Sequence, residues 1–215
     1  KNKVVIVGAG TAGLIIANKL HHYFDVTVID KSKYRAYPLF YKIPLLIGLL
    51  FRKKNSKYIS KRYITLSNGR KIPFFESQLI GGASVINGCV HSFGSQLQWE
   101  PMLQKFNINF SEILESYDQI FSLNKKESRK INLSYSFQNE IDNAFIKALN
   151  EKNIPLGNMA NSKIESCGPI LNTVKRIYRS SVLSAIDIKR LKVIAGESVK
   201  KILFDDSGKT IGVKL

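Results

Sequence analysis

Cysteine is almost missing: Cys89 and Cys167 are the two in a chain of 215 residues. Two distant cysteines make no disulfide framework, and their surroundings have no metal-ligand spacing, so a reducing cytoplasm is the expected setting. Histidine is nearly as scarce, with His21, His22 and His91. Long apolar runs are lacking too. None reaches the roughly 18 residues of a membrane-crossing helix, and the longest, Ile43 to Phe51, is broken by Pro44 and Gly48. That run reads as a buried segment, with a dip into a membrane surface as the less favoured alternative. The chain begins too close to its first strand to leave room for a signal peptide. It contains no repeats and no low-complexity segment.

Acid is in short supply as well. Sixteen Asp and Glu against 33 Lys and Arg leave a formal charge of +17. Such a balance suits nucleic acid, anionic lipid or an anionic ligand. The basic residues are scattered, however, with small clusters at Arg52, Lys53, Lys54 and at Lys125, Lys126, Arg129, Lys130. Lys, Asn and Ile are abundant together, which is a general compositional bias, so solvated faces are expected and no nucleic-acid partner. The apolar fraction of 44% is ordinary for a globular protein, and the length fits one domain or one and a half.

What is present is glycine at particular places. Val4 to Val7 is an unbroken β-branched run, the pattern of a parallel strand buried on both faces. It leads into Gly8, Gly10 and Gly13, which fit Gly-x-Gly-x-x-Gly. Leu14, Ile15, Ala17 and Leu20 then recur at helical spacing, and a second strand, Val26 to Ile29, ends on Asp30. Each part has a mechanical reason. Gly8 permits the tight strand-to-helix turn. Gly10 lets a diphosphate approach backbone N–H groups at the helix N-terminus. Gly13 lets helix and strand pack closely, and Asp30 can accept hydrogen bonds from a ribose. A dinucleotide site is expected here, with a bare tight turn as the alternative.

Beyond Asp30 comes an irregular aromatic stretch, Tyr34 to Tyr41. Residues 55–75 read as extended, with Asn68-Gly69 between apolar alternations as a hairpin signal. Residues 76–94 hold a second glycine-rich stretch, in which Gly81-Gly82 can open a helix with exposed N–H groups. From 99 to 160 the pattern is mainly helical. Ser111 is the expected N-cap of one helix, another covers 138–150, and the link 122–134 reads as a polar surface loop. A further helix is expected at 174–186. Strands follow at Leu191–Ala195, Val199–Phe204 and Ile211–Leu215, with a turn at Asp205-Asp206-Ser207-Gly208.

The two glycine stretches together resemble the glucose–methanol–choline oxidoreductase family of FAD-dependent enzymes. Gly81-Gly82-Ala83-Ser84-Val85-Ile86-Asn87-Gly88 is similar to that family's Gly-Gly-(Ser/Thr)-Ser-x-x-Asn-Gly signature. Trp99 stands where the family often has Asp-x-Trp, though Gln98 precedes it here. Arg179-Ser180-Ser181 and the segment from Leu191 to Val213 resemble the family's return to the cofactor domain. The resemblance implies an α/β fold: a Rossmann-like FAD/NAD(P)-binding domain with a central parallel sheet, a β-hairpin excursion and a partial helical, substrate-side insertion. It places the FAD-binding domain at 1–98 and 165–215, and the insertion, part of a substrate-binding domain, at 99–164.

Carried over by position, Gly8, Gly10, Thr11, Ala12 and Gly13 would line the FAD diphosphate. Asp30 would hold the adenosine ribose, where the family more often has Glu. Gly82, Ser84, Asn87, Gly88 and Val90 would approach the diphosphate, ribityl chain and flavin, and Val199 would present backbone groups to the adenine edge. Some members attach FAD through a His in the second motif. Ile86 occupies that position here, so FAD is expected to be non-covalent. His91 reads as a structural histidine, and Phe93 replaces the family's usual Arg.

The resemblance implies oxidation of a small-molecule alcohol by hydride transfer to flavin N5, to an electron acceptor that the sequence does not name. It also implies a truncated chain, because the family is far longer and its catalytic His pair has no counterpart among His21, His22 and His91. No catalytic residue is therefore assigned. Two other readings stay open: another FAD or NAD(P)-linked oxidoreductase of the same fold, and a non-catalytic basic binding protein.

Overall fold

In a computed structural model, residues 1–33, 39–52, 56–123, 127, 129–136, 138–157 and 167–215 are described. Part of the aromatic stretch Tyr34 to Tyr41, both basic clusters in part, and the boundary expected at 164/165 lie outside them. The chain divides into two compact units, Lys1–Gly88 with Ile177–Leu215, and Cys89–Arg176.

The first unit is built on a parallel sheet. Strand β1 (Lys3–Val7) runs into helix α1 (Thr11–Leu20), which returns the chain to strand β2 (Asp25–Asp30). β1 and β2 pair in parallel from Lys3↔Asp25 to Val7↔Ile29. Lys192–Ala195 adds in parallel on the far side of β2, from Lys192↔Thr27 to Ala195↔Asp30. β2 is thus the middle strand, and Val28 is fully buried with Leu14 and Ala17 of α1. The sequence reading of β1 as buried on both faces is corrected: Lys3, Val5 and Val7 are exposed, Val7 to 57%. A β-branched run encodes a strand, but what covers it depends on its place in the sheet, and β1 is an edge.

Strands β3 (Ile59–Thr65) and β4 (Lys71–Ser77) form the expected hairpin, paired from Ile59↔Ser77 to Thr65↔Lys71. Its turn places Gly69 at φ 79°, a conformation that costs glycine no Cβ clash. The base of the hairpin joins an apolar cluster of Ile47, Ile59, Leu79, Val85 and Ile86. The run from Ile43 therefore contributes at least Ile47 to a core, and among the described residues no helix is long and apolar enough to cross a membrane. Lys201–Phe204 and Thr210–Lys214 form a second hairpin near the end of the chain.

The helix expected at 174–186 is not there. Val174–Lys175 and Tyr178–Arg179 are extended, Arg176 sits at φ 58°, and just Val182–Ala185 is helical. A left-handed residue cannot lie inside a right-handed helix, and apolar spacing does not report it.

In the second unit, helices span Gln96–Phe106, Phe110–Ile120 and Glu140–Glu151. Ser95 and Gln98 form a capping box on the first, as Asn139 and Asp142 do on the third. The second begins at Phe110 behind Asn109, so Ser111 lies inside it instead of capping it. Short strands complete the unit. Leu171–Asn172 pairs with both Val90–His91 and Ser134–Tyr135, and Phe121–Ser122 pairs with Ile131–Asn132. The link 122–134 is not all surface: Ile131, Asn132 and Leu133 are buried.

Candidate functional site

The turn after β1 is held open by three glycines with different tasks. Gly8 takes φ 104°, and its N–H donates to the Ile29 carbonyl at 2.8 Å. Gly10 is the N-cap of α1 and has no side chain to satisfy the first free N–H groups. A Cβ on Gly8 or Gly10 would meet nothing within 4 Å, so open space lies in front of the turn. At Gly13 the opposite holds: a Cβ there would sit 2.0 Å from the Gly8 carbonyl oxygen. Thr11 and Ala12, in the first turn of α1, are exposed. No acidic side chain of α1 itself occupies that first turn.

Asp30 closes the loop from the other side. Its carboxylate accepts from the Ala9 N–H at 2.5 Å and from the Ser32 N–H at 2.6 Å. Its main-chain carbonyl accepts from the N–H groups of Gly196 and Glu197, at 2.8 and 3.1 Å. Asp30 therefore braces the glycine turn, a role that spacing did not suggest. Val199 lines one cleft together with Gly8, Asp30 and Lys31.

The second glycine turn packs directly on the first. The Gly81 N–H donates to the Ala9 carbonyl at 2.8 Å. Gly82, at φ 59°, comes so near that a Cβ on it would stand 2.9 Å from the Gly10 Cα. Ser84 Oγ donates to the Gly81 carbonyl at 2.8 Å and accepts from the Val182 N–H at 3.3 Å. Asn87 and Gly88 are exposed beyond the short 3₁₀ turn Gly82–Val85, and Asn87 accepts from Arg179. Gly8, Gly10, Thr11, Ala12, Gly13, Asp30, Gly82, Ser84, Asn87, Gly88 and Val199 all belong to the first unit, whereas Val90 lies in the second, in strand Val90–His91.

Solved structures share this arrangement of the chain. Pyridoxine 4-oxidase from Mesorbium loti superposes with a TM-score of 0.76 at 18% identity, over 95% of this chain and 44% of its own. An FAD-dependent oxidoreductase from Chaetomium thermophilum gives 0.67 at 20% identity, over 99% and 41%. The chain therefore shares the fold of these solved structures. An oxygen-dependent choline dehydrogenase of Staphylococcus haemolyticus is 30% identical over 99 residues, 45% of this chain. The chain spans 17% of that relative's length, less than a fifth. No family model matches the chain.

The largest feature missed in the sequence is Arg179, buried to 7% exposure with its Nη1–H donating to Asn87 Oδ1 at 2.5 Å. A buried cation near a glycine turn is a signal, but nothing in the sequence shows which Arg is buried.

In the second unit His91 lies among Phe93, Tyr117 and Phe121, with ring centroids 4.7, 6.0 and 4.3 Å away. Phe93 packs edge-on against Tyr117 at 4.6 Å and accepts the Trp99 indole N–H at 2.7 Å through its carbonyl. Burial holds the His91 imidazole below its ordinary value, and its Nε2 has no partner. The folded chain therefore takes up a proton on this ring less readily than the unfolded chain, which does so as pH falls through about 6.5. Stability should fall below that pH, by at most about 1.4 kcal/mol per pH unit for this group. The exposed His22 adds to any such slope, because the charge of the neighbouring His21 lowers its pKa. His91→Phe isolates the buried group: urea midpoints at pH 7.5 and 5.5 should lie closer together in the variant than in wild type.

Proposed function

We propose that this chain is the FAD-holding portion of a flavin-dependent oxidoreductase that acts on the CH–OH group of a small-molecule alcohol. The observation that carries the reading is the contact of the two glycine turns, with Gly82 pressed against Gly10 and open space before Gly8 and Gly10. A bare turn in a nucleotide-free protein gives no reason for a second glycine stretch to close on the first. A nicotinamide-linked protein of the same fold gives equally little reason for residues 81–88 to be there.

The residues present fit FAD. N–H groups at the start of α1 and in the first turn face a space that no side chain fills. They would hold a diphosphate with Thr11, Ala12, Gly13 and Gly82. Each Asp30 oxygen keeps a second lone pair beyond the bonds to Ala9 and Ser32, enough to accept from ribose hydroxyls. Val199, in the cleft beside Asp30, would present its backbone to the adenine. Ser84, Asn87, Gly88 and Val90 are assigned to the ribityl and flavin side. Ile86 is buried in the apolar cluster and carries no atom able to bond the flavin, which supports non-covalent attachment.

When bound, FAD supplies the hydride acceptor for alcohol oxidation. The chain's own contribution is to bind and orient it. His91 lies among aromatic rings, and burial lowers its pKa; we assign no proton-transfer role to any residue of this chain. Residues 1–98 and 165–215 are proposed as the cofactor-holding domain and 99–164 as a substrate-side part, in a cytoplasmic protein. A partner chain or further sequence would supply the proton-transfer groups. The electron acceptor is left unassigned.

The test is an absorption spectrum of the purified chain before and after acid precipitation. A flavin spectrum that moves wholly into the supernatant is the expected result. Colour in neither fraction, even after incubation with FAD, ends the proposal. Turnover of alcohols at rates typical of enzymes, about 1 s⁻¹ or more, would overturn the assignment of no catalytic residue.

A further inference from the structure

Among the described residues, the cleft beside Asp30 has three charged side chains in its lining, Asp30, Lys31 and Glu197, and the rest of the lining is uncharged. Two of the three are acids. The Asp30 carboxylate is turned onto the Ala9 and Ser32 N–H groups. Glu197 is tied to the same residue through its main-chain N–H, which donates to the Asp30 carbonyl at 3.1 Å. The one cation is already engaged: Lys31 Nζ donates to Glu76 Oε1 at 2.5 Å, and Glu76 does not line the cleft.

A basic side chain close to the acid that ends the second strand is the group that would neutralise a phosphate carried on the ribose. Lys31 holds that place in the sequence, directly after Asp30, but its ammonium is drawn away to β4. Glu76 also meets Arg62 at 3.2 Å, and the hydrogen bond from Lys31 lowers its pKa, so it stays an anion at neutral pH. It stands at the base of the hairpin, opposite Ser60, one pair from Ile59↔Ser77, and Ile59 belongs to the buried apolar cluster. The acceptor is thus carried on a fixed element, 45 residues from the lysine it holds. A ribose phosphate in this cleft would have to take Lys31 from Glu76 while lying beside Asp30 and Glu197, like charge against like charge.

We propose that the Lys31–Glu76 ion pair sets ligand selectivity at the adenosine end of the cleft. With Lys31 held by Glu76, the cleft takes an adenosine diphosphate whose ribose hydroxyls are free and rejects one that is phosphorylated on the ribose. This rests on the proposed FAD site and adds to it a residue, Glu76, that does not line the cleft. An ion pair that merely fastened the hairpin to β2 would act on both kinds of nucleotide alike, so the ratio of their affinities separates the two roles.

Bound FAD is displaced from the full chain by ADP and, separately, by ADP carrying a 2′-phosphate, with recovery of flavin fluorescence as the readout. Wild type should bind ADP at least about tenfold more tightly, because like charges held close are costly. Glu76→Gln releases Lys31 and should narrow that ratio by about fivefold, the scale of a solvent-exposed charge pair. Adding Lys31→Met to Glu76→Gln should widen it again, to the wild-type value or beyond. Three results overturn this inference and leave the FAD site standing: a wild type that does not distinguish the two nucleotides, a Glu76→Gln ratio equal to that of wild type, and a double variant that stays narrow. FAD that ADP fails to displace overturns the placement of adenosine in this cleft, and the selectivity with it. Wild type that takes up no FAD overturns the underlying site itself.

Discussion

Gly13→Ala should destabilise the folded chain by about 3 kcal/mol or more, at the upper end of what overpacking costs. The added Cβ would lie 2.0 Å from the Gly8 carbonyl oxygen, 3.1 Å from its carbon and 3.4 Å from Ile6 Cγ2. The first two belong to backbone and cannot rotate away. α1 cannot retreat either, because Leu14 and Ala17 on the same helix are fully buried. Gly8 is itself fixed by its hydrogen bond to Ile29. Helix propensity acts in the other direction, since Ala is preferred over Gly in a helix by up to about 1 kcal/mol, so the net loss isolates the steric term. Gly48→Ala, in the helix Ile47–Arg52 with nothing within 4 Å of a Cβ, is the control and should be neutral or stabilising. Urea midpoints read both. A Gly13→Ala chain as stable as wild type would mean that α1 does not pack on the end of β1 in this way.

How far such features can be read from sequence depends on the range over which their physics acts. The strand–glycine–helix–strand run to Asp30 was legible because each residue's task is local. Gly8 turns the chain, Gly13 admits the helix, and the next strand follows within the reach of one helix. Asn68-Gly69 was legible for the same reason, as a two-residue turn chemistry. The pairing of the two glycine turns followed from the family resemblance, not from local pattern, and the structure gives it a contact at Gly82.

The misses all involve something distant. Whether β1 is central or an edge is decided by which strand lies beside it, so Val5 and Val7 read as core but are exposed. Ile131, Asn132 and Leu133 sit in a polar stretch, and partners elsewhere in the chain bury them. The backbone reversal at Arg176 broke a periodicity that looked helical. That Asp30 also braces the first glycine turn was not legible, because the Ala9 N–H it accepts lies 21 residues earlier. Arg179 was invisible, because the Asn87 oxygen it donates to lies 92 residues earlier.

Gly82→Leu should weaken FAD binding about a hundredfold or more, equivalent to roughly 2.7 kcal/mol. Two costs combine. A side chain at φ 59° is itself strained, by about 1–2 kcal/mol. Its Cβ would also stand 2.9 Å from the Gly10 Cα and 3.8 Å from the Thr11 nitrogen, so relief requires the first turn to move. That displaces the N–H groups whose convergence would hold the diphosphate, and such groups lose effect over fractions of an ångström. The variant alone leaves open a general loss of folding, and Gly10→Ala separates the two effects. Gly10 has φ −78°, which any residue adopts, and its Cβ would meet nothing within 4 Å. The empty chain should then lose no more than about 1 kcal/mol, as for other changes at an N-cap. The methyl group nonetheless enters the space assigned to the diphosphate, so FAD affinity should fall at least tenfold while the urea midpoint barely moves. Equilibrium dialysis with FAD reads the affinity and a urea titration of the apo chain reads the fold. A Gly10→Ala chain that binds FAD as wild type does would place the diphosphate elsewhere and end the proposed site.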